Sequence, residues 1–275
     1  MRRIPALIVV MVIAGSMAVA TRAEALSITV VPGGSQFQQI FGRALGPVSD
    51  AVFLDLLNAA GDYWEGRLLD NRSLRIEAGW GSRFQAGALA AETDNGVNPI
   101  AFVGFNPRFS WFFDPTPLDN SEYADETVLF DDFGGGALNT AIKFDGATGA
   151  ALDEFDAFST ALHEIGHALG LGLLFDFQNG NQPITIQSPL PFAGSVLPYK
   201  NGHLGGRPDE LPFSLMQPFG EENRRLLPSD ADILAVAQAG HFTNVVLNDV
   251  RPVPEPATSV LMLSGLALLF GRRLR

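Results

Sequence analysis

The segment from Asp153 to Gly170 constrains this chain more than any other. Phe155, Phe158, Ala161, Leu162, Ile165, Ala168 and Leu169 recur at helical spacing. At about 100° per residue they gather on one side of a helix, as an apolar face that must be buried. The opposite side carries His163 and His167, about 40° apart, with Glu164 beside them. Asp153, Glu154 and Asp156 stand at the start, where free N–H groups favour negative charge. Gly170 suits the left-handed conformation that ends a helix. The fold must therefore lay one side of this helix on a core and leave two imidazoles and a carboxylate on the other.

Those residues read His-Glu-x-x-His. Two imidazoles at i and i+4 share a helix face and can reach one zinc ion, and Glu164 can take a proton from water that the metal activates. A catalytic zinc usually has three protein ligands and one open position. The chain has four histidines and no cysteine, so the third ligand must be a histidine or a carboxylate. His203, 36 residues after His167 in the run Asn201-Gly202-His203-Leu204-Gly205-Gly206, is the expected one. Its alternatives are His241, Asp176, Glu221 and Glu222. His241 follows a helix C-terminus, where a histidine commonly serves as a charge partner. Asp176 would make a site of two histidines and one acid. Tyr63, Tyr123 and Tyr199 are the only tyrosines, and Tyr199, shortly before His203, is the candidate among them for an oxyanion helper. Asp131-Asp132, followed by Phe133 and three glycines, reads as a solvated turn because no calcium-loop spacing follows.

Thirteen residues after His203 comes Ser214-Leu215-Met216-Gln217-Pro218, which resembles the methionine turn under the zinc of metzincin peptidases. In that family the motif continues His-x-x-Gly-x-x-His or Asp, and here Leu173 stands where the last ligand should be. Leucine cannot bind zinc. A distant histidine shortly before a methionine turn resembles the leishmanolysin-like branch. Phe155 to Leu162 resembles the run that leads into the zinc motif in matrixin-like enzymes, Leu226 to Gly240 their closing helix, and the helix containing Trp64-Glu65 their first one. The resemblance implies an α+β, zincin-like metallopeptidase domain. Such a domain has a small twisted mixed sheet with an N-terminal helix and an active-site helix, then an irregular C-terminal lobe with a closing helix. It also implies zinc held by His163, His167 and His203, with Glu164 as general base.

The element pattern leads to the same class. Ser27 to Val31 reads as a strand, and Asp50 to Leu69 as a helix capped by Asp50. Ser73 to Ala78, Ile100 to Phe105, Thr127 to Asp131 and Leu138 to Phe144 read as strands. Gly79 to Pro99 reads as loops with short strands, and Asn106 to Glu126 and Gly172 to Asn201 as irregular chain; the loops from Gly79 to Pro117 and Gly172 to Asn201 would shape a substrate groove. Ser229 to Gly240 reads as a helix with Ser229 as cap and Asp232 three residues on. Helix, strands, metal helix, loops and final helix in that order suggest α+β.

Both ends look like targeting segments. Residues 1–25 carry Arg2-Arg3, an apolar run from Ile4 to Ala20 and Ala23-Glu24-Ala25, the marks of a secretory signal peptide with an A-x-A cleavage site. At the other end Pro254-Glu255-Pro256 precedes an apolar stretch, Ala257 to Phe270, and then Arg272, Arg273 and Arg275. The apolar stretch is short beside the ~20 residues of a stable span. This order resembles the PEP-CTERM sorting signal of exopolysaccharide-producing Gram-negative bacteria, which implies removal by a membrane sortase, transient membrane association through the tail, and a basic end left in the cytoplasm. Residues 26–252 then form one domain, with 12 basic against 28 acidic residues, a balance that argues against nucleic-acid binding. An exported chain without cysteine depends on packing, and on any metal it holds, for its stability.

The expected activity is hydrolysis of peptide bonds in a protein or peptide substrate, by an enzyme outside the cell, on its surface or in an exopolysaccharide layer. The competing readings are a non-catalytic zinc-binding surface or matrix protein on the same fold, and a zinc hydrolase acting on another substrate. Glu164 favours catalysis, since a structural zinc site has no use for it. Cleavage of casein or a peptide library that phenanthroline abolishes separates the first reading from the others.

Overall fold

A computed structural model of the protein describes residues 25–93, 100–172, 180–205, 210–218 and 220–248. Leu173, Asp176, the C-terminal tail and all but the last residue of the leader lie outside the described residues. The first half builds strand β1 (Ser27–Pro32), helix α1 (Ser35–Phe41), helix α2 (Asp50–Glu65), β2 (Ser73–Trp80), β3 (Ala88–Thr93) and β4 (Ile100–Phe105). These strands form a mixed sheet in the order β1-β2-β4-β3. β1, β2 and β4 run parallel, with Ser27 beside Ser73 and Arg75 beside Ile100; β3 runs antiparallel to β4, with Ala88 beside Phe105, and forms an edge. β4 reads as an unbroken apolar run because both its faces are buried.

Side chains alternate across β4, so Ala101, Val103 and Phe105 join the main core while Phe102 points to the opposite face. Phe37 and Phe41, four residues apart on α1, cover Phe102 there. This short helix was not readable from the sequence: with no side-chain cap of its own, it owes its place to those two rings. α2 packs on β1 and on the metal-motif helix. Its cap is Ser49, whose hydroxyl accepts the Val52 N–H, rather than Asp50, and it ends at Glu65 rather than Leu69. A hydroxyl in extended backbone can fold back on the third N–H of the first turn, a position Asp50 has already passed.

The second half adds β5 (Trp111–Phe112), β6 (Tyr123–Asp132), β7 (Ala137–Ala147), β8 (Phe155–Asp156) and helix α3 (Ala157–Ala168). Four two-residue strands follow, β9 (Ile184–Thr185), β10 (Val196–Leu197), β11 (Tyr199–Lys200) and β12 (His203–Leu204), and then β13 (Arg225–Leu227) and helix α4 (Asp230–Ala239). β13, β7 and β6 form an antiparallel sheet. The C-terminal loops contribute Ile184, Leu197, Leu204, Leu211, Leu215 and Met216 to the same core as α2, α3 and α4. The architecture is thus a mixture of helices and small sheets. Among the described residues no helix is long and apolar enough to cross a membrane.

One placement corrects the sequence reading. Phe155 does not lie on the core face of α3: it sits in β8, paired in parallel with Trp111 of β5. Asp156 caps the helix by accepting the Ser159 N–H, so helical backbone begins only at Ala157. At the other end Gly170 has φ +138°, and a Cβ there would stand 2.5 Å from Cα of Gly240, where the ends of α3 and α4 meet. That neighbour, like the Gly240 nitrogen 2.7 Å away, is backbone and cannot give way cheaply. Gly170→Ala is expected to cost about 2–4 kcal/mol from strain and overpacking combined, read as a lower urea midpoint at unchanged slope.

Candidate metal centre

α3 places His163 and His167 on its outer face, one turn apart, with their Nε2 atoms 2.9 Å from each other. His203 arrives from β12, at the tip of the two-residue hairpin β11–β12, where Lys200 pairs with His203. Its ring centroid lies 5.4 Å from that of His163 and 4.8 Å from that of His167. One nitrogen from each of the three rings lies within 4.8 Å of the other two. An ion with imidazole ligands at about 2.0–2.1 Å in tetrahedral array sets its nitrogens about 3.3 Å apart. The three rings therefore need only a slight adjustment to hold one, with a fourth position left toward solvent.

The backbone settles which nitrogen each ring offers. His163 Nδ1 pairs with the Leu215 carbonyl at 2.7 Å, His167 Nδ1 with the Leu171 carbonyl at 2.5 Å, and His203 Nδ1 with the Asn201 carbonyl at 2.7 Å. A carbonyl only accepts, so in each case Nδ1 carries the proton and Nε2 keeps its lone pair for the centre. Burial lowers the His163 pKa to about 4, helped by repulsion from His203, and burial together with the neighbouring imidazoles holds His167 well below the usual value. Both rings are neutral at neutral pH, the form in which imidazole binds metal.

Glu164 is 6% exposed and accepts the backbone N–H of Ala90 on edge strand β3. Burial pushes its carboxyl up to about 8, with the Ala90 N–H pulling it partly back. At neutral pH such a carboxyl holds its proton in most molecules, and a cation bound beside it would lower its pKa toward the range in which a group both takes and gives a proton.

Beneath the rings the chain is tightly fixed. Met216 is fully buried, and its sulfur lies where a Cβ on Gly166 would be, 2.6 Å away, directly under the turn between the two histidines. Asp232 of α4 holds the loop that carries Met216. Its carboxylate accepts the Ser214 hydroxyl at 2.5 Å and the N–H groups of Leu215 and Met216 at 3.2 and 3.0 Å, while also closing the Ser229 capping box of its own helix. Since Leu215 supplies the carbonyl for His163, Asp232 orients that ring through the loop. On the far side Trp64 Nε1 donates to the Leu162 carbonyl at 3.0 Å, tying α2 to α3.

These groups floor a cleft of about 740 Å³. Ala88, Leu89 and Ala90 of β3 line it, as do Asn201, Gly202, Gln217 and Pro218, and Phe109, Trp111 and Phe155 with Ser159 and Thr160. Of the alternative ligands, His241 is exposed beyond α4, Glu221 pairs with Arg224, and Glu222 bridges to Phe155 through backbone. None joins the histidine cluster, which is the only such group among the described residues. Tyr199 is buried in the core and does not line the cleft, nor do Tyr63 and Tyr123. Asp132 spends its carboxylate on the N–H groups of Gly134 and Gly136 in an exposed turn.

Several supporting groups carry no readable sequence signal. Ala90 and the three carbonyls act through backbone, which any residue supplies. Asp232 reads only as half of a capping box. Arg225 reads as one charge among others, yet it is buried between Asp114 and Asp156.

Residues 252–275 match the family model of the PEP-CTERM protein-sorting motif. No curated protein and no solved structure matches the chain. The tail therefore carries a signal for export and surface or extracellular sorting in a Gram-negative bacterium, read by a sorting enzyme that acts on it.

Proposed function

We propose that the chain is an exported zinc-dependent endopeptidase. The observation that carries this reading is the arrival of His203 beside His163 and His167, each with Nδ1 on a backbone carbonyl, in a cleft that also holds the buried carboxyl of Glu164. Three imidazoles and an open fourth position suit zinc. Zinc bound there would supply a Lewis acid that polarises a carbonyl and acidifies water.

The chain's own residues account for the remaining work. The free edge of β3 offers backbone groups to an extended peptide, which would lie along the cleft as an added strand. Glu164, held by the Ala90 N–H, takes the proton of the attacking water and passes it to the departing amine. Nδ1–carbonyl bonds keep the imidazoles from turning during that transfer. A membrane sortase would cut the tail and release the enzyme to the cell surface or the exopolysaccharide layer. Mass spectrometry of the exported protein checks that step, and a chain still ending at Arg275 speaks against it.

The decisive experiment measures metal and cleavage together on the exported protein. Expected are about one zinc per chain, cleavage of a peptide library, and loss of cleavage with phenanthroline. His203→Ala should weaken zinc binding by more than about 100-fold, beyond the usual effect of losing a group that merely supports a ligand. Full zinc in that variant would move the third ligand elsewhere. Full zinc in the unaltered protein without cleavage of any peptide would favour the non-catalytic reading.

A further inference from the structure

The loop that orients His163 is fastened a second time, from its other end. Phe213 directly precedes Ser214-Leu215-Met216 and has φ +67°, a left-handed backbone that a bulky residue keeps only where its surroundings hold it. Its ring is partly buried and packs on the main core. Over that ring lie Lys143 Nζ, 4.1 Å from the centroid, and the Arg224 guanidinium carbon, 4.6 Å from it. The sheet explains the meeting. Side chains alternate across β7, so Ile142 and Phe144 enter a core cluster while Lys143 and Asp145 take the other face. Arg225 of β13 lies opposite Phe144, which brings its neighbour Arg224 to the face of Lys143 and Asp145. Asp145 pairs with both cations at 2.6 Å, and Glu221 with Arg224 at 2.6 Å, which fixes them over the ring. Lys143, Arg224 and Asp145 are only 15%, 17% and 28% exposed, so salt screens the attraction incompletely.

This fastening bears on one ring of the centre. The Leu215–Met216 peptide is used at both ends: the Met216 N–H goes to Asp232 at 3.0 Å, and the Leu215 carbonyl accepts from His163 Nδ1 at 2.7 Å. Asp232 grips Ser214, Leu215 and Met216 from α4. Upstream of that grip the Ser214 N–H reaches the Leu211 carbonyl only at 3.4 Å. A residue in left-handed backbone two positions ahead of Leu215 would relax if released, and a change in its φ swings the carbonyl that aims His163. The two cations over Phe213 oppose that change. His167 and His203 take their carbonyls from Leu171 and Asn201, outside this loop, so the effect falls on His163.

We propose that Phe213, clamped by Lys143 and Arg224, is a positioning residue for the metal centre: it fixes the Leu215 carbonyl and, through it, the imidazole of His163. This role rests on zinc being held by the three histidines, and not on which bond is cut. Chelator competition measures the zinc affinity, and cobalt in place of zinc gives an absorption spectrum that reports ligand geometry. Phe213→Leu fills the space but offers no ring face to a cation. It should weaken zinc binding about tenfold, the low end of what loss of a ligand's outer partner produces, and shift the cobalt bands. Phe213→Tyr keeps the ring face and should restore both. Lys143→Met leaves the loop's own residues intact, serves if Phe213→Leu does not fold, and should move both readings the same way by less. A merely structural role would lower the urea midpoint of Phe213→Leu while the folded protein kept its zinc affinity and cobalt bands. That result, unchanged readings in Lys143→Met, or an equal loss in Phe213→Tyr overturns the positioning role. The expected shifts in a protein that cleaves no peptide uphold it while removing the peptidase reading. An unaltered protein that takes up neither zinc nor cobalt removes the centre and this role with it.

Discussion

Glu164→Gln is expected to keep its zinc and lose peptide turnover by at least about 10²- to 10⁴-fold, the range general acid–base catalysis supplies. The substitution changes little else. Glutamine matches the shape of glutamate and can still accept the Ala90 N–H through its carbonyl oxygen. It is not one of the three clustered histidines, so the metal content should match that of the unaltered protein. Because the carboxyl is almost wholly buried, solvent is poorly placed to replace it as proton acceptor. The loss should fall on kcat, with KM nearly unchanged, since the rest of the cleft lining is unaltered. Steady-state kinetics beside a zinc assay decides the matter: a Glu164→Gln protein that turns over near the original rate would remove Glu164 from the mechanism.

Arg225→Ala is expected to destabilise the fold by about 3–5 kcal/mol, because it leaves buried carboxylates without their cation. The Arg225 side chain is 0% exposed, as is that of Asp114, and that of Asp156 is 1% exposed. Its guanidinium grips Asp156 through Nε and Nη2, both at 3.0 Å, and reaches Asp114 at 2.7 Å and the Asp119 carbonyl at 2.8 Å. Burial alone would make the cation easier to lose, but the charge and hydrogen bonds of Asp156 and the hydrogen bond to Asp114 together more than offset this and hold its pKa above the usual value. The consequence reaches the metal centre. Asp156 caps α3 and accepts the Ser159 hydroxyl, and that hydroxyl in turn accepts the Leu226 N–H at 2.7 Å. Arg225, itself in β13, thus ties the start of the histidine helix to the segment that follows β5. Urea unfolding measures the cost, and a variant as stable as the original would show that packing, not this network, anchors the helix.

How much of this was legible depended on how far each partner lay along the chain. The face of α3 with His163, Glu164 and His167 follows from local periodicity, because one helical turn sets their relation. The Ser229–Asp232 capping box and the buried run of β4 are local in the same sense. His203 was singled out by donor chemistry and by its place shortly before the Met216 segment: without cysteine, only histidine or carboxylate could serve as a third donor. Phe155 was misplaced because apolar spacing continues through it, while the Asp156 cap that stops the helix is an event of the backbone. The helix α1 was missed because Phe37 and Phe41 are held by Phe102, more than sixty residues away. The double use of Asp232 and the burial of Arg225 were invisible for the same reason: their partners belong to segments that only the fold brings near.

The sequence by itself determined the helix that pairs His163 with His167, the glutamate beside them and the sorting motif of the tail, since each is written in neighbouring residues and obeys spacing or composition. Tertiary structure alone decided that His203 meets the other two, that each ring offers Nε2, and that three aromatic rings stand beside them. Those facts depend on where distant backbone carbonyls and strand edges come to rest, and a carbonyl is the same in every residue.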